Sequence, residues 1–252
     1  MTRPLEGRVA LISGTGGGQG RAAALRFAAA GAIVAGCDIN TDANAETAGR
    51  VRAAGGVMSV SERDLGDPEG ARAWIDGVIA CHGRIDILYN NASAARFGSI
   101  GEFSIEDWRF TVRNEMDLVF FATKFAWKHL QVRGGVVLNV ASTAGWQGSR
   151  DNGAIAHSAT KGAVIAMTRQ MAVEGAPLGI RANSISPAFI VTPGTRAFVE
   201  DPVVKARLTA SIPLGRPGQA EDVVGMAVFL AGDEASFITG ADILIDGGTT
   251  AC

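Results

Sequence analysis

Short apolar runs alternate with longer helical patterns along the whole of this 252-residue chain. The runs that predict strands are Val9–Ser13, Ile33–Asp38, Val57–Ser61, Ile85–Asn90, Val136–Ala141, Arg181–Ser186 and Ala241–Ile245. The patterns that predict helices are Gly20–Ala30, Asp42–Ala54, Pro68–His82, Ile105–Val132, His157–Ala176 and Ala220–Ala231. Most strand runs are apolar on both faces, which is typical of parallel strands covered by helices on either side. The alternation predicts an α/β fold with a doubly wound parallel sheet of about seven strands and helices on both faces.

The chain shows no internal repeat, low-complexity tract or linker that would divide it. Hydrophobic residues make up 47% of the composition, enough to bury a core as a single domain over residues 1–252. The pattern breaks late, in the proline-containing segments Pro193–Pro202 and Pro213–Gly218. Because ligands bind at the carboxyl ends of parallel strands, we predict that the segment around residues 189–215 forms a substrate lid.

Charge and cysteine content indicate which partners to expect. The net charge is −2 and neither sign forms a long block, so we expect no nucleic acid or anionic membrane as partner. Cys37, Cys81 and Cys252 are odd in number and widely spaced, which favours neither a disulfide framework nor a zinc site. The sequence has no signal-like or membrane-spanning apolar stretch and no cluster typical of a metal site. It therefore predicts a reduced, cytoplasmic protein.

The first strand runs directly into a glycine-rich turn, Ser13–Gly20, and a helical pattern follows. A phosphate bound there needs backbone N–H groups nearby and a helix N-terminus directed at it, and both favour residues without a β-carbon. The common Gly-x-Gly-x-x-Gly fingerprint does not fit, because Gln19 occupies the position of its last glycine. The spacing that fits is Gly14-x-x-x-Gly18-x-Gly20, which predicts a pyrophosphate cradle that includes Gln19.

The second strand ends at Asp38, 24 residues after Gly14. A carboxylate at this place accepts hydrogen bonds from both hydroxyls of an adenosine ribose and repels a 2′-phosphate. Arginine and lysine are absent from Gly14–Gly20 and from the residues just after Asp38. The sequence therefore predicts NAD rather than NADP as the cofactor.

The glycine spacing resembles that of the short-chain dehydrogenase/reductase family, and other segments between Gly7 and Gly248 resemble the family in the right order. These segments are Asp64-Leu65, Asn90-Asn91-Ala92-Ser93, Asn114, Ser142 within Val140–Gly145, Ser186–Thr192 and Asp242–Gly248. Two of them depart from the family pattern, since Ser93 and Ala188 replace glycines. The resemblance implies a Rossmann-like, NAD(P)-binding fold and an oxidoreductase that acts on alcohols or ketones.

The resemblance also implies a role for each matching residue. Asp64 and Leu65 flank the adenine, Asn91 lies against the ribose next to it, and Ile190 and Thr192 hold the nicotinamide carboxamide. On the catalytic side, Asn114 orders a relay water and Ser142 polarises the substrate oxygen. Lys161 binds the nicotinamide ribose and tunes the catalytic base.

His157 stands where the family signature Tyr-x-x-x-Lys has its tyrosine, four residues before Lys161 and on the same face of a helix. The only tyrosine of the chain, Tyr89, is far away in a strand-like run. The positive charge of Lys161 disfavours an imidazolium, so His157 is expected to be neutral and able to accept a proton. If His157 directly replaces the tyrosine, we expect a bias toward alcohol oxidation.

Three interpretations of this substitution are open. In the first, the protein is an NAD-dependent alcohol dehydrogenase with His157 as the base. In the second, His157 orients substrate or water while Asn114, Ser142 and Lys161 carry different acid/base chemistry. In the third, the protein binds NAD with little activity. The interval from Ser142 to His157 includes Arg150-Asp151-Asn152, a loop able to shift the histidine.

Two expectations concern partners. The residues expected to line the substrate pocket are mainly apolar, which favours a small hydrophobic or cyclic alcohol or ketone. The resemblance implies a homodimer or homotetramer formed through the helices predicted at Ile105–Val132 and His157–Ala176.

Overall fold

The structure, a computed structural model, describes residues 3–149 and 153–251. Within these ranges seven strands form one sheet in which every pairing is parallel. In chain order the strands are β1 (Val9–Ser13), β2 (Ile33–Cys37), β3 (Val57–Ser61), β4 (Ile87–Asn90), β5 (Gly135–Val140), β6 (Ile180–Pro187), β7 (Ile190–Val191), β8 (Gly218–Gln219) and β9 (Asp242–Ile245). The short β7 and β8 pair only with each other. The predicted α/β class with a parallel sheet of about seven strands is confirmed.

Helices cover both faces of this sheet. They are α1 (Gly18–Ala29), α2 (Thr41–Ala53), α3 (Pro68–His82), α4 (Ile105–Val112), α5 (Leu118–Leu130), α6 (Ile155–Gly175), α7 (Arg196–Glu200), α8 (Pro202–Ala210) and α9 (Ala220–Ala231). Local sequence sets several of their starts: the side chains of Asn40, Asp67 and Ser104 accept N–H groups from the first turns of α2, α3 and α4. The ends of strands and helices agree with the sequence prediction to within two residues, except inside the predicted helix Ile105–Val132.

The order of strands across the sheet is β3-β2-β1-β4-β5-β6-β9. The chain moves outward from β1 in one direction through β3 and then in the other direction from β4 onward. Ala10 of β1 has Val34 on one side and Ile87 on the other. The loops that follow β1 and β4 therefore diverge and leave a crevice at the carboxyl ends of these strands.

The apolar core is divided by the sheet into two layers. One layer contains Phe27, Tyr89 and Leu138, and the other contains Trp74 and Leu88. Because neighbouring residues of a strand point to opposite faces, Leu88 and Tyr89 of β4 contribute to different layers. Both faces are covered, which is why the central strands have no polar side.

The long helix predicted over Ile105–Val132 is interrupted, and this corrects the sequence prediction. A π-helical turn, Arg113–Asp117, separates α4 from α5, and the N–H of Leu118 donates to the carbonyl of Arg113. The side-chain amide of Asn114 donates a 2.8 Å hydrogen bond to the carbonyl of Phe110. A wide turn of this kind re-aims the side chains it carries, and it is often found at functional sites.

The proline-containing segment predicted as a lid is ordered into short elements. The pairing of β7 with β8 closes its base, and α7 and α8 lie between them. Its function as a lid stays a prediction. Arg150, Asp151 and Asn152, the loop residues singled out before His157, lie outside the described residues.

We predict that Tyr89→Phe leaves the free energy of unfolding unchanged or raises it by about 1 kcal/mol. The Tyr89 side chain is fully buried and stacks on Phe27 with ring centroids 5.8 Å apart. Within the described residues its hydroxyl has no hydrogen-bond partner, and burial raises the pKa of Tyr89 far above its usual value. Removing that hydroxyl removes an unsatisfied polar group. Chemical denaturation measures the change.

The control is Tyr89→Ala, which deletes the ring and should cost about 3–5 kcal/mol. If Tyr89→Phe were as damaging as Tyr89→Ala, the hydroxyl would have a role that its surroundings do not provide.

Candidate active site

A groove of about 460 Å³ lies at the carboxyl ends of the strands where the order reverses. This is the place where doubly wound sheets bind their ligands. The residues predicted from sequence that line it are Gly14, Gly18, Gln19, Asp38, Asp64, Leu65, Asn91, Asn114 and Thr192. Pro193 and Gly194, from the segment predicted as a lid, also line it, as does Arg63, which was not singled out from the sequence.

The glycines allow α1 to pack directly on the turn after β1. Gly14 and Gly18 have φ values of 76° and 51°, in the left-handed region that glycine adopts without strain. A β-carbon at Gly20 would lie 1.9 Å from the carbonyl oxygen of Gly14, so no side chain fits there. The residue before the helix, Gly17, provides no side-chain cap. The helix N-terminus is thus open toward the groove.

The turn fits the phosphates of a dinucleotide. Uncapped N–H groups at a helix N-terminus attract anions. In the described part of the chain, the side-chain oxygen of Gln19 is buried without a hydrogen-bond partner. A hydroxyl of a bound dinucleotide would satisfy this oxygen, whereas the phosphate oxygens, which only accept hydrogen bonds, would meet the N–H groups of the turn.

Asp38 is fixed at the edge of the groove by two backbone hydrogen bonds. Its Oδ2 accepts the N–H of Gly16 at 2.7 Å, and its Oδ1 accepts the N–H of Asn40 at 2.8 Å. The nearby guanidinium of Arg21 is held by the Gly16 carbonyl at 2.8 Å and by Glu46 at 2.8 Å. The edge of the groove therefore presents a rigid negative charge.

Three more of the predicted cofactor residues, Asp64, Leu65 and Asn91, line the same groove. Asp64 accepts the N–H of Gly66 at 2.9 Å and a hydrogen bond from Arg113 at 2.6 Å. Asn91 donates its side-chain amide to the carbonyl of Ser13 at 3.0 Å, which ties the ends of β4 and β1 together. The side chains of Leu65 and Ile190 are buried, and Ile190 does not belong to the groove wall.

The turn after β5, which Ser142 precedes, packs against α6, which carries His157 and Lys161. A β-carbon at Gly145 would lie 2.9 Å from the backbone nitrogen of Gly162, so the two segments are in close contact. Ser142 precedes that turn, and its Oγ accepts the N–H of Ala144 at 3.1 Å, which leaves its hydroxyl proton available. Lys161, on α6, is buried and donates to the carbonyl of Val140 at 3.0 Å.

Glu115, which sequence analysis did not single out, lies at the centre of this cluster. It belongs to the π-helical turn and is 1% exposed. The Nδ1 atom of His157 lies 2.9 Å from each of its carboxylate oxygens. The hydroxyls of Ser93 and Thr160 each donate to the carboxylate at 2.6 Å. The ammonium of Lys161 lies 3.8 Å from Oε1.

The neighbours of Glu115 keep it ionised. Burial by itself raises the pKa of the Glu115 carboxyl, but the hydrogen bond with His157 and the charge of Lys161 lower that pKa to about 2. Burial lowers the pKa of Lys161, and the charge of Glu115 opposes this effect. Since Nδ1 of His157 is engaged by the carboxylate, Nε2 is the ring nitrogen left for a substrate. The half-exposed ring of Phe97 lies beside the imidazole, with centroids 5.5 Å apart.

A signal for Glu115 was present in the sequence. Thr111, Glu115, Leu118 and Ala122 follow one another at helical spacing, and all four are buried. An acidic residue within such a stripe requires a partner, because an unpaired buried charge is very costly. Asn114 is its neighbour in sequence and attracted attention only through the family pattern.

Within residues 3–149 and 153–251, no group of three or more His, Cys, Asp or Glu side chains is arranged to hold a metal ion. None of the helices in these ranges has the length and apolar character needed to cross a membrane.

Comparison with known proteins places the chain among oxidoreductases. Residues 14–250 match a family model described as Enoyl-(Acyl carrier protein) reductase. Meso-2,3-butanediol dehydrogenase of Serratia marcescens is 39% identical over 246 residues, which cover 98% of this chain and 96% of that protein. Cyclohexanol dehydrogenase of Acinetobacter sp. (strain SE19) is 33% identical over 252 residues, which cover 99% and 98%. A solved structure from Agrobacterium tumefaciens with bound NADP is 35% identical, covers 99% of each chain and has a TM-score of 0.91.

We predict that Gly20→Ala abolishes dinucleotide binding and lowers the melting temperature, because its methyl group would force α1 away from the Gly14 turn. Titration with NADH, followed by fluorescence, measures binding. Gly17→Ala is the matched control for stability, since a β-carbon at Gly17 meets nothing within 4 Å and its φ of −173° suits any residue. Equal melting temperatures for the two variants would contradict the close contact between α1 and the turn.

Proposed function

The chain belongs to the short-chain dehydrogenase/reductase family, and we propose that it is an NAD-dependent dehydrogenase of secondary alcohols in which His157 transfers the proton. That it is an oxidoreductase acting on CH–OH donors follows from its relatives. The observation that carries the proposal is the pairing of His157 Nδ1 with the buried Glu115. This pairing holds the imidazole of His157 four residues before Lys161, and no hydrogen bond from the described residues engages its Nε2.

The groove supplies the cofactor contacts. NAD, when bound, accepts the hydride from the carbinol carbon of the alcohol. The residues proposed to hold it are Gly14, Gly18, Gln19 and Gly20 at the pyrophosphate, Asp38 at the adenosine ribose, Asp64, Leu65 and Asn91 on the adenine side, and Lys161, Ile190 and Thr192 on the nicotinamide side. The NADP-bound relative supports dinucleotide binding as a class. The fixed carboxylate of Asp38 supports NAD, because a 2′-phosphate would meet a negative charge that cannot turn away.

His157 takes the proton of the alcohol, and Ser142 holds the alcohol oxygen. The Ser142 hydroxyl donates a hydrogen bond to the substrate oxygen and holds it in place. The Nε2 atom of His157 accepts the hydroxyl proton as the carbinol C–H bond breaks and the C=O bond forms. Asn114, at the groove wall, orders the water that returns this proton to solvent.

Glu115 changes what was expected of Lys161. The expected bias toward oxidation considered only the repulsion between the Lys161 ammonium and an imidazolium. The Glu115 carboxylate lies nearer to the ring than to Lys161, at 2.9 Å from the Nδ1 atom of His157 and 3.8 Å from the Lys161 ammonium, and it offsets this repulsion. We therefore propose that His157 serves as base in oxidation and as acid in reduction, and that cofactor ratio and pH set the direction.

A nucleotide-binding protein without activity is the weaker alternative. Burying an ion pair costs several kcal/mol of desolvation per ion, which the pairing only partly returns. Glu115 and Lys161 are both buried beside His157, and Glu115 is hydrogen-bonded to Ser93 of the groove wall. A scaffold has no physical need for such a cluster, whereas proton transfer does.

Apolar side chains support the proposed class of substrate and the proposed oligomer. Phe97 forms an apolar wall next to His157, which suits a small hydrophobic or cyclic alcohol. Exposed apolar side chains on α4 and α5, including Trp108 and Phe120, suit the proposed homodimer or homotetramer. We place the protein in the cytoplasm.

The first test is NADH formation from NAD with a panel of secondary alcohols that includes 2,3-butanediol and cyclohexanol. We expect turnover by the native chain and a kcat lower by about 10²–10⁴-fold in His157→Phe, which keeps an aromatic ring but removes the proton acceptor. His157→Tyr, assayed beside it, separates the alternatives. Turnover by His157→Tyr with none by the native chain would refute the role of His157.

The second test concerns the cofactor. We expect the native chain to have a higher kcat/KM for NAD than for NADP. In Asp38→Ala this preference should fall at least about tenfold, which corresponds to about 1.4 kcal/mol of lost repulsion. Asp42→Ala, an exposed carboxylate in the first turn of α2, is the matched control and should keep the native preference. A native preference for NADP would contradict the proposal.

A further inference from the structure

We infer that Glu115 is the positioning residue of this proton-transfer site: it holds one tautomer of His157 and balances the charge that the ring acquires. The inference rests on the proposed role of His157 in proton transfer. Glu115 itself does not face the groove, whose wall is formed here by Ser93 and Asn114. It therefore acts through His157.

The carboxylate is fixed from two sides. Ser93, in the loop after β4, donates to Oε1, and Thr160, on α6, donates to Oε2, each at 2.6 Å. The Oγ1 atom of Thr160 also lies 3.0 Å from the carbonyl oxygen of Ala156, one turn earlier on α6. The position of the Thr160 hydroxyl is therefore fixed as well. Both oxygens lie 2.9 Å from Nδ1 of His157. The imidazole thus meets a carboxylate that has little freedom to rotate.

This geometry selects the tautomer. An ionised carboxylate accepts hydrogen bonds and has none to donate. The proton of a neutral His157 ring is therefore on Nδ1, and Nε2 carries the lone pair. Without the carboxylate, the proton is free to move to Nε2, and the nitrogen that faces the substrate loses its ability to accept a proton.

The same arrangement accommodates the charge of the reaction. When the alcohol is oxidised, its O–H bond breaks and an Nε2–H bond forms, while the carbinol hydrogen leaves with its electron pair as hydride to NAD. His157 then carries a positive charge at a hydrogen bond to a carboxylate, which is stronger than one between neutral groups. Reduction of a ketone reverses each of these changes.

The electrostatic surroundings of His157 are simple. Among the described residues, the charged groups of this cluster are Glu115, from the π-helical turn, and Lys161, from α6. The groups contributed by other packed segments, Ser93 and Phe97, carry no charge. Before the reaction the positive charge of Lys161 is balanced by the negative charge of Glu115. The net charge of the cluster therefore changes only when His157 takes up a proton.

A purely structural role for Glu115 predicts something different. If the carboxylate served only as the counterion of buried Lys161, its loss would lower stability without changing the tautomer of His157. The distances favour positioning, since Nδ1 of His157 is 2.9 Å from the carboxylate and the Lys161 ammonium is 3.8 Å away.

The kinetic test is Glu115→Gln, which preserves size and removes the charge. We expect kcat for alcohol oxidation to fall by about 10²–10⁴-fold, with KM for the alcohol changed by less than about threefold. The pH profile of kcat/KM should also change, because the ring no longer faces a carboxylate. Glu115→Asp keeps the charge and should recover part of the rate. An unchanged profile with kcat within twofold of native would overturn the inference.

A second readout needs no turnover. Nitrogen NMR of the imidazole reports the tautomer, and the chain has only three histidines, so the His157→Tyr spectrum assigns the signal. We expect a protonated Nδ1 in the native neutral ring and a mixture of tautomers in Glu115→Gln. A native ring protonated at Nε2 would overturn the inference even if Glu115→Gln failed to fold. A native ring protonated at Nδ1 in a chain that turns over no alcohol would support the pairing and refute the proposed dehydrogenase function.

Asp86→Asn is the matched control. Asp86 is a buried carboxylate before β4 that accepts the N–H of Val9 at 2.8 Å and pairs with Arg84. Its loss should lower the melting temperature but leave the pH profile and the His157 signal as in the native chain. The same changes in Asp86→Asn as in Glu115→Gln would assign them to stability alone and overturn the inference.

Discussion

The proposed proton-transfer cluster depends on one constraint: a carboxylate has been removed from water and must be satisfied inside the protein. The Glu115 side chain is fully buried, and an ion in such a place is tolerated only with several hydrogen bonds and an opposite charge. These come from Ser93, His157, Thr160 and Lys161, on two separate elements of the chain. The same contacts that stabilise the ion therefore bring the loop after β4, the π-helical turn and α6 into one fixed arrangement.

The cofactor half of the site is built on a different principle. It depends on close packing of backbone at glycine positions and on the divergence of loops at the reversal of strand order. The Asp38 carboxylate in this half is held by backbone N–H groups and is independent of Glu115. None of these contacts involves His157 or Glu115.

The π-helical turn links the two halves. It places Asn114 on the groove wall and Glu115 against α6, although the two are neighbours in the chain. In a regular helix, α5 would continue from α4 with its side chains rotated about the helix axis. Its apolar side would then not meet α3 while Glu115 pointed toward α6. A local change in helix register therefore allows one segment to contribute Asn114 to the groove wall and Glu115 to the cluster around His157.

Sequence alone determined the fold class, the glycine turn and the carboxylate at the end of β2, because these depend on local periodicity and on short spacings. It also singled out His157 and Lys161, which are one helical turn apart. Only the tertiary structure revealed the contacts between residues that are distant in sequence. Glu115 and His157 are 42 residues apart and meet only because the junction of α4 and α5 packs against α6. The break in the long helix and the short helices of the segment after β7 were missed for a related reason. Hydrogen-bond register and surface turns respond to neighbours in space, which a linear pattern does not record.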